Sequence, residues 1–100
     1  MEEKISVILV NYNGLSYNDA CIESLLASTG CGRLQIVVVD NVSTDGSYAK
    51  LQERWGRHPQ VTLIQADRNL GFAGGNNIGI RKALETAPDF LMLLNNDTVI

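Results

Sequence analysis

Four short polar segments hold the residues best suited to chemistry: Asn11-Tyr12-Asn13, Asp40-Asn41 with Ser43 and Asp45, Arg68-Asn69 with Gly71, and Asn95-Asn96-Asp97. Each follows an apolar run, so a fold that lays those runs side by side gathers all four at one edge rich in hydrogen-bonding groups. Asp40 closes such a run and is poised to accept hydrogen bonds from a ligand's base or sugar. Capping its own turn is the open alternative, because Asn, Asp and Gly are what turns use. The stretch Gly71-Phe72-Ala73-Gly74-Gly75-Asn76-Asn77 sets two glycines where a helix begins, against helix propensity. Free backbone N–H groups and the positive end of a helix dipole suit a phosphate there. Close packing of helix on sheet asks for the same glycines. Asp97 offers a hard oxygen beside that phosphate site, which suggests Mg²⁺ or Mn²⁺ bridging carboxylate and diphosphate.

Other chemistries are excluded. Neither Gly-x-Gly-x-x-Gly after the first apolar run nor a Walker loop ending in Gly-Lys-Ser/Thr is present. Asn41-x-Ser43-x-Asp45-Gly46 imitates a calcium loop, yet its twelfth position is Gln52 and it follows a strand-like run, so calcium is rejected. Cys21 and Cys31, with His58 distant, fit neither a zinc spacing nor a disulfide scaffold. Eight Lys and Arg against eleven Asp and Glu give a net charge of −3 with no basic run, which argues against a nucleic-acid partner. The runs Val7 to Val10 and Phe90 to Leu94 fall far short of the ~20 residues that span a bilayer. Met1-Glu2-Glu3-Lys4 lacks a secretory apolar segment, so a cytoplasmic location is expected, with a peripheral place at the inner membrane face for a longer protein. On that reading the sequons at Asn41 and Asn96 are chance matches.

Positioning the four segments falls to alternating elements. Ile5 to Val10 is β-branched and apolar at nearly every position, as in a strand of a parallel sheet covered on both faces. Ser16 and Asp19 resemble a capping box, and Ile22, Leu25 and Leu26 form a helical stripe that Gly30 ends. Leu34 to Val39 is the second strand. Ser43, Thr44 or Asp45 then caps a helix carrying Tyr48, Leu51 and Trp55, which ends at Gly56. Val61 to Ile64 is the third strand and Asp67 to Gly75 a polar, glycine-rich loop. Ile80, Ala83, Leu84 and Ala87 mark a third helix that Pro88 stops, and Phe90 to Leu94 is the fourth strand. With 45% hydrophobic and 19% charged residues, the 100 residues make one α/β domain, an open parallel sheet with helices on both faces.

The motifs Val7-Ile8-Leu9-Val10-Asn11-Tyr12-Asn13-Gly14, Val39-Asp40-Asn41-Val42-Ser43-Thr44-Asp45-Gly46-Ser47, Asn69-Leu70-Gly71-Phe72-Ala73-Gly74-Gly75-Asn76-Asn77-Ile78-Gly79 and Leu93-Leu94-Asn95-Asn96-Asp97-Thr98 closely resemble the amino-terminal, nucleotide-binding half of an inverting family 2 glycosyltransferase of GT-A fold, in its rhamnosyltransferase-like branch. The resemblance implies a Rossmann-like sheet ordered 3-2-1-4. It implies that Asn11, Tyr12 and Asp40 lie around base and ribose, and that the loop from Asn69 through Gly71 and Gly74 to Asn76 lies near ribose and diphosphate. It implies that Asn95 and Asp97 stand at the two acidic positions of an Asp-x-Asp metal motif, with one charged ligand fewer for Mg²⁺ or Mn²⁺. The donor it implies is a nucleotide-diphosphate sugar, weakly tilted to dTDP-rhamnose, and the acceptor a glycan or lipid-linked saccharide.

Family members continue past the metal motif into acceptor-binding elements and a carboxylate general base, and no residue here matches that base. The chain is therefore expected to be the donor half of the enzyme, inactive alone. The reading from a different class is a minimal noncatalytic nucleotide-binding or structural module. Asp89 precedes the fourth strand, which sends it to the opposite end of the sheet. In the implied order the fourth strand is an unguarded apolar edge, which predicts a homodimer or larger aggregate by antiparallel pairing of two fourth strands, the alternative being a monomer whose final residues fold over the edge.

Overall fold

The computed structural model describes residues 4–14, 17–27, 33–68 and 71–95, with Arg33, Phe72 and Asn95 described in backbone only. Seven elements alternate: β1 (Lys4–Asn11), α1 (Asn18–Ala27), β2 (Arg33–Asp40), α2 (Ser47–Trp55), β3 (Val61–Gln65), α3 (Gly71–Leu84) and β4 (Phe90–Asn95). The strands form one parallel sheet ordered β3-β2-β1-β4, as the resemblance implied. The register pairs Asn11 with Asp40, Asp40 with Gln65, and Val10 with Asn95, so the carboxyl ends of all four strands share one edge.

Side chains of a strand alternate between faces, and the two faces of β1 and β2 carry different helices. Val7, Leu9, Ile36 and Val38 pack with Cys21, Ile22 and Leu25 of α1 and Leu51 and Trp55 of α2. Ile8, Val37 and Val39 pack with Ala83 of α3. The first two helices are tied to each other as well. Trp55 Nε1 donates to Asp19 Oδ1 at 2.9 Å, while the Arg54 guanidinium bridges Asp19 and Glu23 and stands 4.9 Å from the Trp55 ring centre. On the other face, α3 rides close to the sheet, and a Cβ at Gly79 would collide with Ile8 Cγ2.

Several expectations need correction. The glycine-rich stretch is not loop to residue 75: α3 begins at Gly71 and runs through both Gly74 and Gly75. The same helix ends at Leu84, short of Ala87, whose φ is +49°. The cause is Pro88, whose ring disfavours αR at the residue before it; the chain tightens through bonds from Thr86 N to Ala83 O and Ala87 N to Leu84 O. None of Ser43, Thr44 and Asp45 is the cap residue of α2. That position is Gly46, with φ +81° and no side-chain cap bond, although Asp45 Oδ1 does accept from Ser47 N at 2.9 Å. Helices lie on both faces of the sheet, and on the edge strand β4 the residues Phe90, Leu91, Met92 and Leu93 remain between 41% and 54% exposed. Ser16, Gly30 and Cys31 lie outside the described residues.

Candidate functional site

At the carboxyl edge the first two turns are locked by a polar knot whose centre is closed to solvent. Asn11, Asp40 and Ser47 are each 0% exposed. Asn11 Nδ2 lies 2.7 Å from Asp40 Oδ1, 2.9 Å from Ser47 Oγ and 3.1 Å from Ser43 Oγ, while its Oδ1 accepts from Gly14 N at 2.9 Å. Ser43 donates through Oγ to Asp40 Oδ1 at 2.5 Å and through N to Asp40 Oδ2 at 3.1 Å. Both carboxylate oxygens of Asp40 are thus engaged within the protein. Of the two roles open to it, turn capping is the one the geometry displays. A buried carboxylate held by several donors rigidifies the loops that supply them.

Asn13 completes the junction. Its backbone N donates to Ser43 Oγ at 3.0 Å, and its Oδ1 accepts from Thr44 N at 2.7 Å. Asn13 sits at φ +55°, a region its short polar side chain tolerates. Val42 sits at φ +60°, which a β-branched residue strongly resists; such strain persists only where neighbours impose it. Here Asp40 grips Ser43 on one side of Val42, and on the other Asn41 N donates to Asn11 O at 2.8 Å. Tyr12, by contrast, projects from the knot and is 52% exposed.

The third turn joins through α3. Asn41 is 2% exposed, and its Nδ2 donates to Gly71 O, at the first residue of the helix, at 2.9 Å. Gly71 has φ +74° and open space where a Cβ would be. Gly75 answers to packing, since a Cβ there would lie 2.8 Å from Val10 Cγ1 and 2.9 Å from Asn41 Nδ2. Gly74 is half-buried beside it. Asn76 is 5% exposed, and its Oδ1 is buried with no hydrogen-bond partner among the described residues.

Of the residues singled out in the sequence, Asn11, Tyr12, Asp40, Gly71, Gly74 and Asn76 are brought to this edge. Asn95 ends β4 beside Val10 with only its backbone described, and Asn69 and Asp97 lie outside the described residues. No group of three His, Cys, Asp or Glu able to hold a metal occurs among the described residues. Asp89 exchanges bonds with Lys4 at the far end, its Oδ2 accepting from Lys4 N at 2.7 Å. A groove of about 720 Å³ at that end is lined by Lys4, Ser6, Gln35, Gln60 and Glu85; it lies away from every polar turn, and open parallel sheets bind ligands at their carboxyl edge. Sequence reasoning placed Asn41 in a polar turn without a role of its own and gave Ser47 none. Ser47 follows the Asp45-Gly46 turn directly, and Asn41 adjoins Asp40, but neither signal separates a buried tie from an ordinary turn residue.

A family model described as glycosyl transferase family 2 matches residues 6–100. A low-salt glycan biosynthesis hexosyltransferase of Haloferax volcanii is 34% identical over the whole chain, which spans 30% of that protein. Chondroitin synthase of Escherichia coli is 32% identical over 77% of the chain and 11% of its own length. Among solved structures, a mannosyltransferase of Pyrobaculum calidifontis in complex with GDP-Man and Mn²⁺ superposes with a TM-score of 0.85 over 99% of the chain and 29% of its own, at 23% identity. TarS 1-349 of S. aureus in complex with UDP-GlcNAc superposes with a TM-score of 0.76 over 94% of the chain and 26% of its own, at 25% identity.

Proposed function

The chain belongs to glycosyl transferase family 2, and from that premise we propose that its carboxyl sheet edge binds the nucleotide of a nucleotide-diphosphate sugar for transfer to an acceptor hydroxyl. The observation that carries this reading is the convergence of three turns on one edge, tied by Asn11, Asp40, Ser43 and Asn41. Tyr12 is the exposed aromatic suited to a base, held in place by the buried Asn11 before it. The N–H groups opening α3 would face a diphosphate, and Asn76, whose Oδ1 has no partner among the described residues, would lie near ribose. Asp97, with Asn95, would hold Mg²⁺ or Mn²⁺, whose charge would stabilise a departing diphosphate. The Mn²⁺ held by the Pyrobaculum mannosyltransferase supports divalent metal use. Transfer with inversion requires a carboxylate base to deprotonate the acceptor. Asp40 is enclosed and Asp89 lies at the far end, so neither fits that task. The acceptor is a glycan or lipid-linked saccharide bound by segments other than these, and dTDP-rhamnose is the donor to try first.

Titration calorimetry of the chain with dTDP, UDP and GDP, with Mn²⁺ or Mg²⁺ and then with chelator, tests the reading. Weak binding with a metal-dependent increment, lost in Asp97→Ala, is expected. The absence of heat at millimolar concentration for every nucleotide would sink the binding claim, and sugar turnover by this chain would overturn the assignment of the base to other segments.

A further inference from the structure

The amide of Asn41 occupies a notch on α3 that only a glycine leaves open. Its Nδ2 reaches Gly71 O at 2.9 Å, and the same nitrogen lies 2.9 Å from where a Cβ of Gly75 would stand. Residues 71 and 75 are one helical turn apart, so the carbonyl Asn41 grips belongs to the first turn of the helix. Asn41 itself is fixed at its backbone, because its N donates to Asn11 O at 2.8 Å, inside the knot at the ends of β1 and β2. A rigid link therefore runs from the strand ends to the opening turn of α3, a turn that its glycines would otherwise leave loose.

We infer that Asn41 is a positioning residue: it holds the first turn of α3 so that the N–H groups of that turn are aimed at the diphosphate of the donor, and Gly75 is glycine to admit the Asn41 amide. The inference rests on the donor reading above for the identity of the ligand, but the mechanical link stands without it. Asn41 touches no ligand in this account and acts through Gly71.

Two measurements on the chain separate the link from its use. Amide hydrogen exchange of unligated Asn41→Ala should quicken about ten-fold at Gly75, Asn76 and Asn77, the N–H groups bonded within the first turns, and stay within two-fold at residues 80–84. Uniform acceleration along α3, or none, would overturn the link. Calorimetry should then show Asn41→Ala weakening UDP or GDP binding about ten-fold, the worth of one hydrogen bond, while uridine or guanosine binding is unchanged. Equal loss for nucleoside and nucleoside diphosphate would refute the positioning role. If the parent chain binds neither, the donor reading fails, and the exchange profile still decides the link.

Discussion

Replacing Asn11 by Ala tests the knot that holds the edge together. The substitution removes a donor 2.7 Å from Asp40 Oδ1 and 2.9 Å from Ser47 Oγ, and the acceptor of Gly14 N at 2.9 Å, all in a place with no solvent to substitute. A lost bond to a buried carboxylate is worth about 1.5–3 kcal/mol and each neutral bond about 1, so the expected loss is roughly 3–5 kcal/mol. For a domain of this size that is a fall of roughly 15–30 °C in Tm. Urea unfolding at pH 7 measures it, read from the midpoint at unchanged slope. Asp40→Ala and the double variant complete a cycle, in which a coupling of about 1–3 kcal/mol between Asn11 and Asp40 is expected. A loss under about 1 kcal/mol, or a cycle additive within ~0.5 kcal/mol, would show that the two turns hold without the knot.

Three further outcomes follow from neighbouring features. Gly75→Ala forces a Cβ to 2.8 Å from Val10 Cγ1, so urea unfolding should show a loss of about 1–3 kcal/mol, whereas a neutral result would mean that α3 can lift from the sheet. Val42→Gly relieves a β-branched residue at φ +60° and should raise stability by about 1 kcal/mol in the same assay, the relief of strain exceeding the entropy that Gly adds to the unfolded chain. The open edge and exposed apolar residues of β4 should pair two copies antiparallel; light scattering at micromolar concentration is expected to show a dimer or larger species that Met92→Lys reduces, and a strict 10.9 kDa monomer in both would defeat the idea.

Much of the fold is legible in the residues because local pattern and burial agree. The apolar runs of β1 and β2 are the two central strands, buried from Val7 to Val10 and from Ile36 to Val39, and the turns after them do meet. Legibility fails where packing overrides propensity. The opening of α3 reads as loop because Gly74 and Gly75 disfavour helix, yet docking on Val10 and Asn41 makes it helical. Ala87 reads as the next residue on a helical stripe, yet Pro88 dictates its backbone. At the site, sequence shows which polar residues follow the strands but not their depth. Asp40 and Tyr12 are both chemically apt, and only the structure encloses one while exposing half of the other.

The glycines of α3 also set the order in which the molecule can assemble. Gly71, Gly74, Gly75 and Gly79 all lie within its first nine residues. Each disfavours helix by about 1 kcal/mol against alanine, so the free segment stays coil. Only a surface already built from Ile8, Val10 and Val39 offsets that deficit, which places α3 after the pairing of β1 with β2 on the folding path. Substitutions at its opening turn should then act chiefly on the unfolding rate and leave the folding rate nearly untouched. The opening turn of α3 accordingly forms after β1 and β2 have paired and depends on that pair to persist.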